Sequence, residues 1–200
     1  MMKVFKLAPD FAFQTFHTSD PNNSRDGEEE YLLDGKSKLS TWKPLPIFEA
    51  DPGLELGNFA YCWDGGFVVD TSAAEVLKPI LEQCAELLPL KGYKSRAYHL
   101  LNVLNCPDCL DEQRTKWRVG KKNKTRFAIE EYAFMPEKLP DSTLFRIPKN
   151  VALFTVVDHP NSSAEFKKIV EREGLTGLKF DEVWSEDGRR SRRKDLVKKC

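Results

Sequence analysis

Apolar residues recur at helical spacing along one long stretch, TSAAEVLKPILEQCAELLPL (71–90), where Val76, Leu77, Ile80, Leu81, Cys84, Leu87 and Leu88 make one face. Ser72 with Glu75 three residues on reads as a capping box at its start. Pro79 removes a backbone donor inside this helix and predicts a kink there. A second helical pattern follows another capping box, Ser162 with Glu165, with Phe166, Ile169 and Val170 as its apolar face. Elsewhere the period is that of strands: early, in FKLAPDFAFQTF (5–16), then over 65–70, 96–105, 115–119, 125–134, 143–148, 151–157 and 178–184. GKKNK (120–124) is hairpin chemistry, with Gly120 and Asn123 suited to positive φ. The proline-punctuated STWKPLPIFEADPG (40–53) reads as an extended segment draped over a core through Trp42, Leu45, Ile47 and Phe48. The polar run TSDPNNSRDGEEE (18–30) reads as an exposed loop.

The order of these elements predicts an α+β fold: one domain over residues 1–188, with a mostly antiparallel twisted sheet packed against two main helices. Residues 1–60 form its N-terminal part, and 189–200 a basic tail. The two glycines of EREGLTGLKFDEVW (171–184) need a reason. A phosphate loop would place its glycines before a helix, where backbone amides converge. Here they come after one. Gly174 therefore reads as the helix C-cap and Gly177 as a second tight turn. Leu175 and Leu178 pack back, and Leu178, Phe180 and Val183 face inward from the strand that follows.

Composition narrows the function classes. No run of eighteen apolar residues exists, and the N-terminus MMKVFKLAPDFAF has neither an apolar h-region nor a small-residue cleavage site. The cysteines (Cys62, Cys84, Cys106, Cys109 and Cys200) are odd in number and lack framework spacing, which predicts reduced thiols and a cytoplasmic location. The formal net charge of zero hides an asymmetry: RRSRRKDLVKKC (189–200) carries seven basic residues and one acidic, leaving 24 basic against 30 acidic in residues 1–188. Such a tail suits nucleic acid or an acidic partner. No aromatic residue is interleaved to stack on bases, and the acidic body opposes nucleic acid further, so the tail reads as a solvated end.

Candidate chemistry is sparse. Cys106 and Cys109, in CPDC, would need further ligands for zinc, and Cys62, Cys84, Cys200, His17, His99 and His159 show no paired spacing. A redox pair would open a helix, whereas this one leads into a polar turn. A Cys/His nucleophilic site with His99 as base meets another obstacle. His99 and Cys106 are seven residues apart, so on one strand they point to opposite faces. His159, in DHPNSS, belongs to the turn before the second helix. Asp108 and Asp111 read as turn caps. Adjacent carboxylates (Glu28 to Glu30, Glu130 with Glu131, Asp181 with Glu182) read as solvated faces, because glycosidase-type work needs a fixed pair in a cleft.

The succession VVDTSAAEVLKPILEQCAELLPL, YHLLNVLNCPDCLDEQRT, LFRIP and GLTGLKFDEVW resembles a bacterial immunity-protein family. That family is encoded beside polymorphic toxins, was long catalogued as a domain of unknown function, and includes the myxobacterial swarm-exclusion immunity protein. The likeness covers roughly residues 67–184. The D-x-L-D pattern falls on Asp108, Leu110 and Asp111, and the C-terminal motif on Gly174, Leu175, Gly177, Leu178, Phe180 and Trp184, all in structural roles. The resemblance implies a non-enzymatic protein that binds and neutralises a cognate toxin, with no catalytic residues to carry over. Taken with the composition, the expectation is a cytoplasmic protein with no cofactor, no metal and no membrane or nucleic-acid partner. If that toxin is a nuclease with a basic groove, an acidic body attracts it. The candidate contacts are then Asp26, Glu28, Glu29 and Glu30, or the carboxylates Asp181, Glu182, Glu186 and Asp187. Two other readings compete: a cysteine- or zinc-dependent enzyme using Cys106 and Cys109, and a nucleic-acid adaptor working through the tail.

Overall fold

The computed structural model describes residues 1–18, 33, 35–63, 66–120, 125–148, 150 and 152–188. In chain order the elements begin with β1 (Lys3–Pro9), β2 (Phe16–His17), β3 (Phe48–Glu49), β4 (Phe59–Cys62), β5 (Gly66–Asp70) and helix α1 (Thr71–Cys84). Strands β6 (Ala85–Pro89), β7 (Tyr98–Val103), β8 (Lys116–Val119) and β9 (Arg126–Glu131) follow, then a 3-10 turn at Pro136–Lys138. β10 (Leu144–Arg146), β11 (Leu153–Val157), helix α2 (Phe166–Arg172) and β12 (Leu178–Ser185) complete the series. The α+β class with mostly antiparallel pairing holds. The strands are divided, however, into a four-stranded sheet β10-β11-β1-β12, a six-stranded sheet β3-β2-β4-β5-β7-β6 and the ribbon β8-β9. Only β2 and β4 pair in parallel among the described strands.

Strand alternation explains how two sheets share two helices. Successive side chains leave a strand on opposite faces. Val69 therefore points to the central core with α1, while its neighbour Val68 points to a separate cluster behind the six-stranded sheet. In the four-stranded sheet, Leu153 faces the central core and Phe154 the far side. The central core combines Leu7, Phe59, Phe67, Leu101 and Leu144 from both sheets with Leu77, Ile80 and Leu81 of α1 and Phe166 and Val170 of α2. Behind the four-stranded sheet, Val4, Phe145, Phe154 and Val156 meet Cys109, Leu110 and Phe134, with Trp117 and Ile129 of the ribbon laid over them. Behind the six-stranded sheet, Phe16, Val68, Tyr98 and Leu100 are covered by the extended segment through Ile47, Trp42 and Leu45. The Trp42 indole N–H donates to the Pro89 carbonyl at 2.7 Å, so that segment is fastened as well as draped.

Local expectations at both helices are corrected. The first helix stops at Cys84, and Ala85–Pro89 pairs with β7 as an edge strand, burying Leu88 in the third cluster instead of on a helix face. Val76 points to solvent, 38% exposed. The N-cap of α1 is Asp70, whose Oδ1 accepts from the Ala73 N–H at 2.8 Å, and Ser72 donates its hydroxyl to that carboxylate instead of capping. The chain runs helical through Pro79. At α2 the Ser162/Glu165 box does not form. The Phe166 N–H donates to Thr143 Oγ1 at 2.8 Å, so a hydroxyl from β10's approach serves the helix start. Glu165 instead accepts the Asp158 N–H and pairs with Lys168. The hairpin reading at 120–124 lies mostly outside the described residues, although the Gly120 N–H donates to the Thr125 carbonyl at 2.9 Å.

Candidate interaction surface

The stretch after α2 joins the two sheets. Gly174 sits at φ +64 just past the helix, with its N–H on the Glu171 carbonyl and the Leu175 N–H on the Val170 carbonyl, the paired bonds of a Schellman C-terminus. Gly177, at φ +94, lies against the backbone of Phe59. A Cβ there would meet the Phe59 carbonyl oxygen at 1.8 Å. Only a residue without a side chain permits that approach. The contact is secured on both sides: the Phe59 N–H donates to the Thr176 carbonyl at 2.9 Å, and the Asp10 N–H to the Gly177 carbonyl at 3.1 Å. Thr176 also exchanges bonds with Asn58, whose amide reaches Asp70 and Ser72 at the start of α1. The motif therefore ties β1, β4 and α1 to β12.

Along β12, Leu178 and Phe180 pack on the central core, whereas Val183 and Trp184 pack behind the four-stranded sheet. Phe5 pairs with Glu182 and Val4 with Trp184, so Val183 is the extra residue of a β-bulge that resets the alternation. Leu110 bridges to Phe134 on the far side of that sheet. Asp111 receives the backbone N–H groups of Gln113 and Arg114 at 3.1 Å each and holds the Arg114 guanidinium at 2.6 Å, which keeps its carboxyl below the usual range. Asp108 is exposed and caps nothing among the described residues.

The cysteine pair lacks the setting of reactive thiols. Cys109 is buried in the second cluster, and burial pushes its thiol up to about 12. The Cys106 thiol is exposed, yet partial burial pushes it up as well. A nucleophilic or redox cysteine needs the opposite shift, toward thiolate. His99 lies in β7, flanked by β5 and β6, where burial lowers its pKa. No three metal-ligating side chains gather among the described residues.

The acidic candidates divide. Asp26, Glu28, Glu29 and Glu30 lie outside the described residues. Of the carboxylates read as a solvated face, the two on β12 are not fully exposed. Asp181 and Glu182 are half-buried, and Glu182 binds Lys3 at 3.0 Å, its charge answered within the fold. Glu186 and Asp187 are exposed but engaged locally, the first receiving the Met2 N–H and the second the Ser185 hydroxyl.

What the sequence did not show is an exposed aromatic cluster. Phe11, 56% exposed, stacks on Trp63, 51% exposed, with ring centroids 5.9 Å apart. Tyr61 meets Trp63 edge-on at 5.1 Å, and His17 stacks behind it at 6.4 Å. The Trp63 indole N–H donates to Thr15 Oγ1, which in turn donates to Asp51 Oδ2.

With this geometry in hand, one comparison decides the kinship: a model of the Immunity protein family (Imm11) matches residues 85–185. The chain belongs to this family. The Imm11 match takes in β6 to β12 and α2, so the junction motif, the Asp111 turn and the bulge at Val183 all fall within it. The aromatic cluster lies before it. No curated protein matches the chain. No described helix is long and apolar enough to cross a membrane.

Proposed function

We propose that this protein is a non-catalytic cytoplasmic immunity protein that binds a cognate toxin and neutralises it. Membership of the Immunity protein family over residues 85–185 carries this reading. Two structural observations support it. The residues of the family motifs act as scaffold: Gly177 in a backbone contact, Asp111 in a turn, Leu178, Phe180 and Trp184 in core packing. The competing cysteine chemistry has its thiols raised toward the inert form. Neutralisation then proceeds by occlusion through protein–protein contact, without cofactor, nucleic acid or membrane.

The test is co-expression. If the neighbouring open reading frame encodes a large protein with a toxin-like C-terminal domain, it is expressed in a sensitive host with and without this chain. Survival only in the presence of the chain, with a complex that co-purifies, is the expected outcome. Death in both cases, or protection without any complex, refutes it.

A further inference from the structure

Resting on that reading, we infer that the Phe11–Trp63 cluster is the docking surface for the toxin, and that the toxin meets it with a basic surface bearing arginine or lysine. Half-exposed large aromatics that stack on each other are unusual on a solvated face, where isolated apolar residues are the norm. These rings are also fixed in advance. Trp63 is held by the stack with Phe11, by the edge of Tyr61 and by its hydrogen bond to Thr15, so little side-chain freedom remains to be lost on binding. Tryptophan in such a setting is the residue type that dominates interface energies.

Charge names the partner's chemistry. The two segments that build the surface, residues 7–17 and 44–63, contain Asp10, Glu49, Asp51 and Glu55 and no lysine or arginine. They are neighbours in space: Phe13 bridges to Glu55, and the Ala50 N–H donates to the Thr15 carbonyl. Asp10 and Glu49 are paired with Lys179 and Lys94. Asp51 and Glu55 are exposed and have no ion pair among the described residues. An aromatic platform beside carboxylates that have no cationic partner among the described residues suits a guanidinium or ammonium that lies on the rings while its charge meets them.

The experiment measures affinity between the purified full chain and the toxin that the co-expression test identifies. Trp63→Ala is expected to weaken binding about 30-fold and Phe11→Ala about tenfold, the loss typical of central aromatic anchors. Phe127→Ala removes a 62% exposed aromatic on β9 and leaves affinity unchanged. Glu55→Lys slows association several-fold at low salt, and the gap closes as salt rises. Thermal unfolding of each variant checks the fold, and Phe11, more than half exposed, is the variant least able to disturb it. Wild-type binding that survives both aromatic substitutions overturns this assignment and leaves the toxin reading standing. A wild-type chain that neither binds nor protects overturns both. A homodimer dissolved by Trp63→Ala would give the surface to a second copy and overturn the assignment as well.

Discussion

Gly177→Ala tests whether the junction between the sheets is a true backbone contact. The added Cβ would lie 1.8 Å from the Phe59 carbonyl oxygen and 2.7 Å from its carbon, both backbone atoms in a paired strand that cannot rotate away. Opening the gap to 3.0 Å requires a shift of about 1.2 Å. A movement of that size breaks the bonds from the Phe59 N–H to Thr176 and from the Asp10 N–H to Gly177. Each lost bond costs about 1 kcal/mol. The φ of +94 adds about 1–2 kcal/mol for a residue with a side chain. The total is about 3–4 kcal/mol, a large part of an ordinary domain's stability. Gly174→Ala is the internal control: its φ is also positive, at +64, but nothing lies within 4 Å of the added methyl. Its cost is the conformational part alone, about 1 kcal/mol. Urea unfolding at 25 °C measures both. A Gly177→Ala loss within 1 kcal/mol of the Gly174→Ala loss would refute the close-contact account.

Three other outcomes follow from named contacts. Asp70→Ala removes the N-cap of α1 and a partner of Asn58, and should cost about 2 kcal/mol, against less than about 0.5 for Ser72→Ala. The reverse ranking in urea would restore Ser72 as the cap. Glu86 on β6 is pushed up by burial, but bonds from the Lys38 N–H, Asn102 and Ser37 carry its carboxyl below the usual value of 4.5. A lowered folded pKa means stability that is present above the unfolded value and lost as pH falls through the folded one. Glu86→Gln should therefore flatten the acid limb of the stability curve below pH 4.5, and an unchanged slope would show that the carboxylate holds nothing. In a Cys200→Ser background, iodoacetamide at pH 8 should label exposed Cys106 while Cys62, Cys84 and Cys109 stay protected until unfolding. Rapid labelling of Cys109 would return cysteine chemistry to contention.

The fold class was legible because alternation and helical spacing are local signals, and the strands at 98–103, 116–119, 126–131, 144–146 and 153–157 all fall inside the stretches that showed them. Two of the errors, the end of the first helix and the start of the second, share one cause, a non-local partner. AELLP continues the helical spacing of α1 without a break, so periodicity alone cannot end the helix. Pairing with β7 from Ala85↔Val103 to Pro89↔His99 ends it. Ser162 and Glu165 match a capping box, yet the helix start is served by Thr143, twenty-three positions away. Gly177 was legible as a residue needing freedom. Its actual constraint is Phe59, and the bonds beside it span 118 positions. Phe11 falls inside a strand-like alternation and Trp63 in none of the segments read from the sequence, and only the arrangement of β1 and β4 makes them a surface.

That arrangement links the shared motif to the proposed docking surface. The Gly177 carbonyl holds the Asp10 N–H, one residue before Phe11. The Thr176 carbonyl holds the Phe59 N–H at the start of β4, a strand that ends one residue before Trp63. The Trp63 N–H in turn donates to the Phe16 carbonyl on β2. The two exposed rings therefore stand on segments clamped by one short loop, and neither ring takes part in the clamp. A substitution at position 11 or 63 changes what the surface contacts without touching what holds it in place. If the cluster is the toxin-docking surface proposed above, specificity can vary at these side chains while the junction stays fixed.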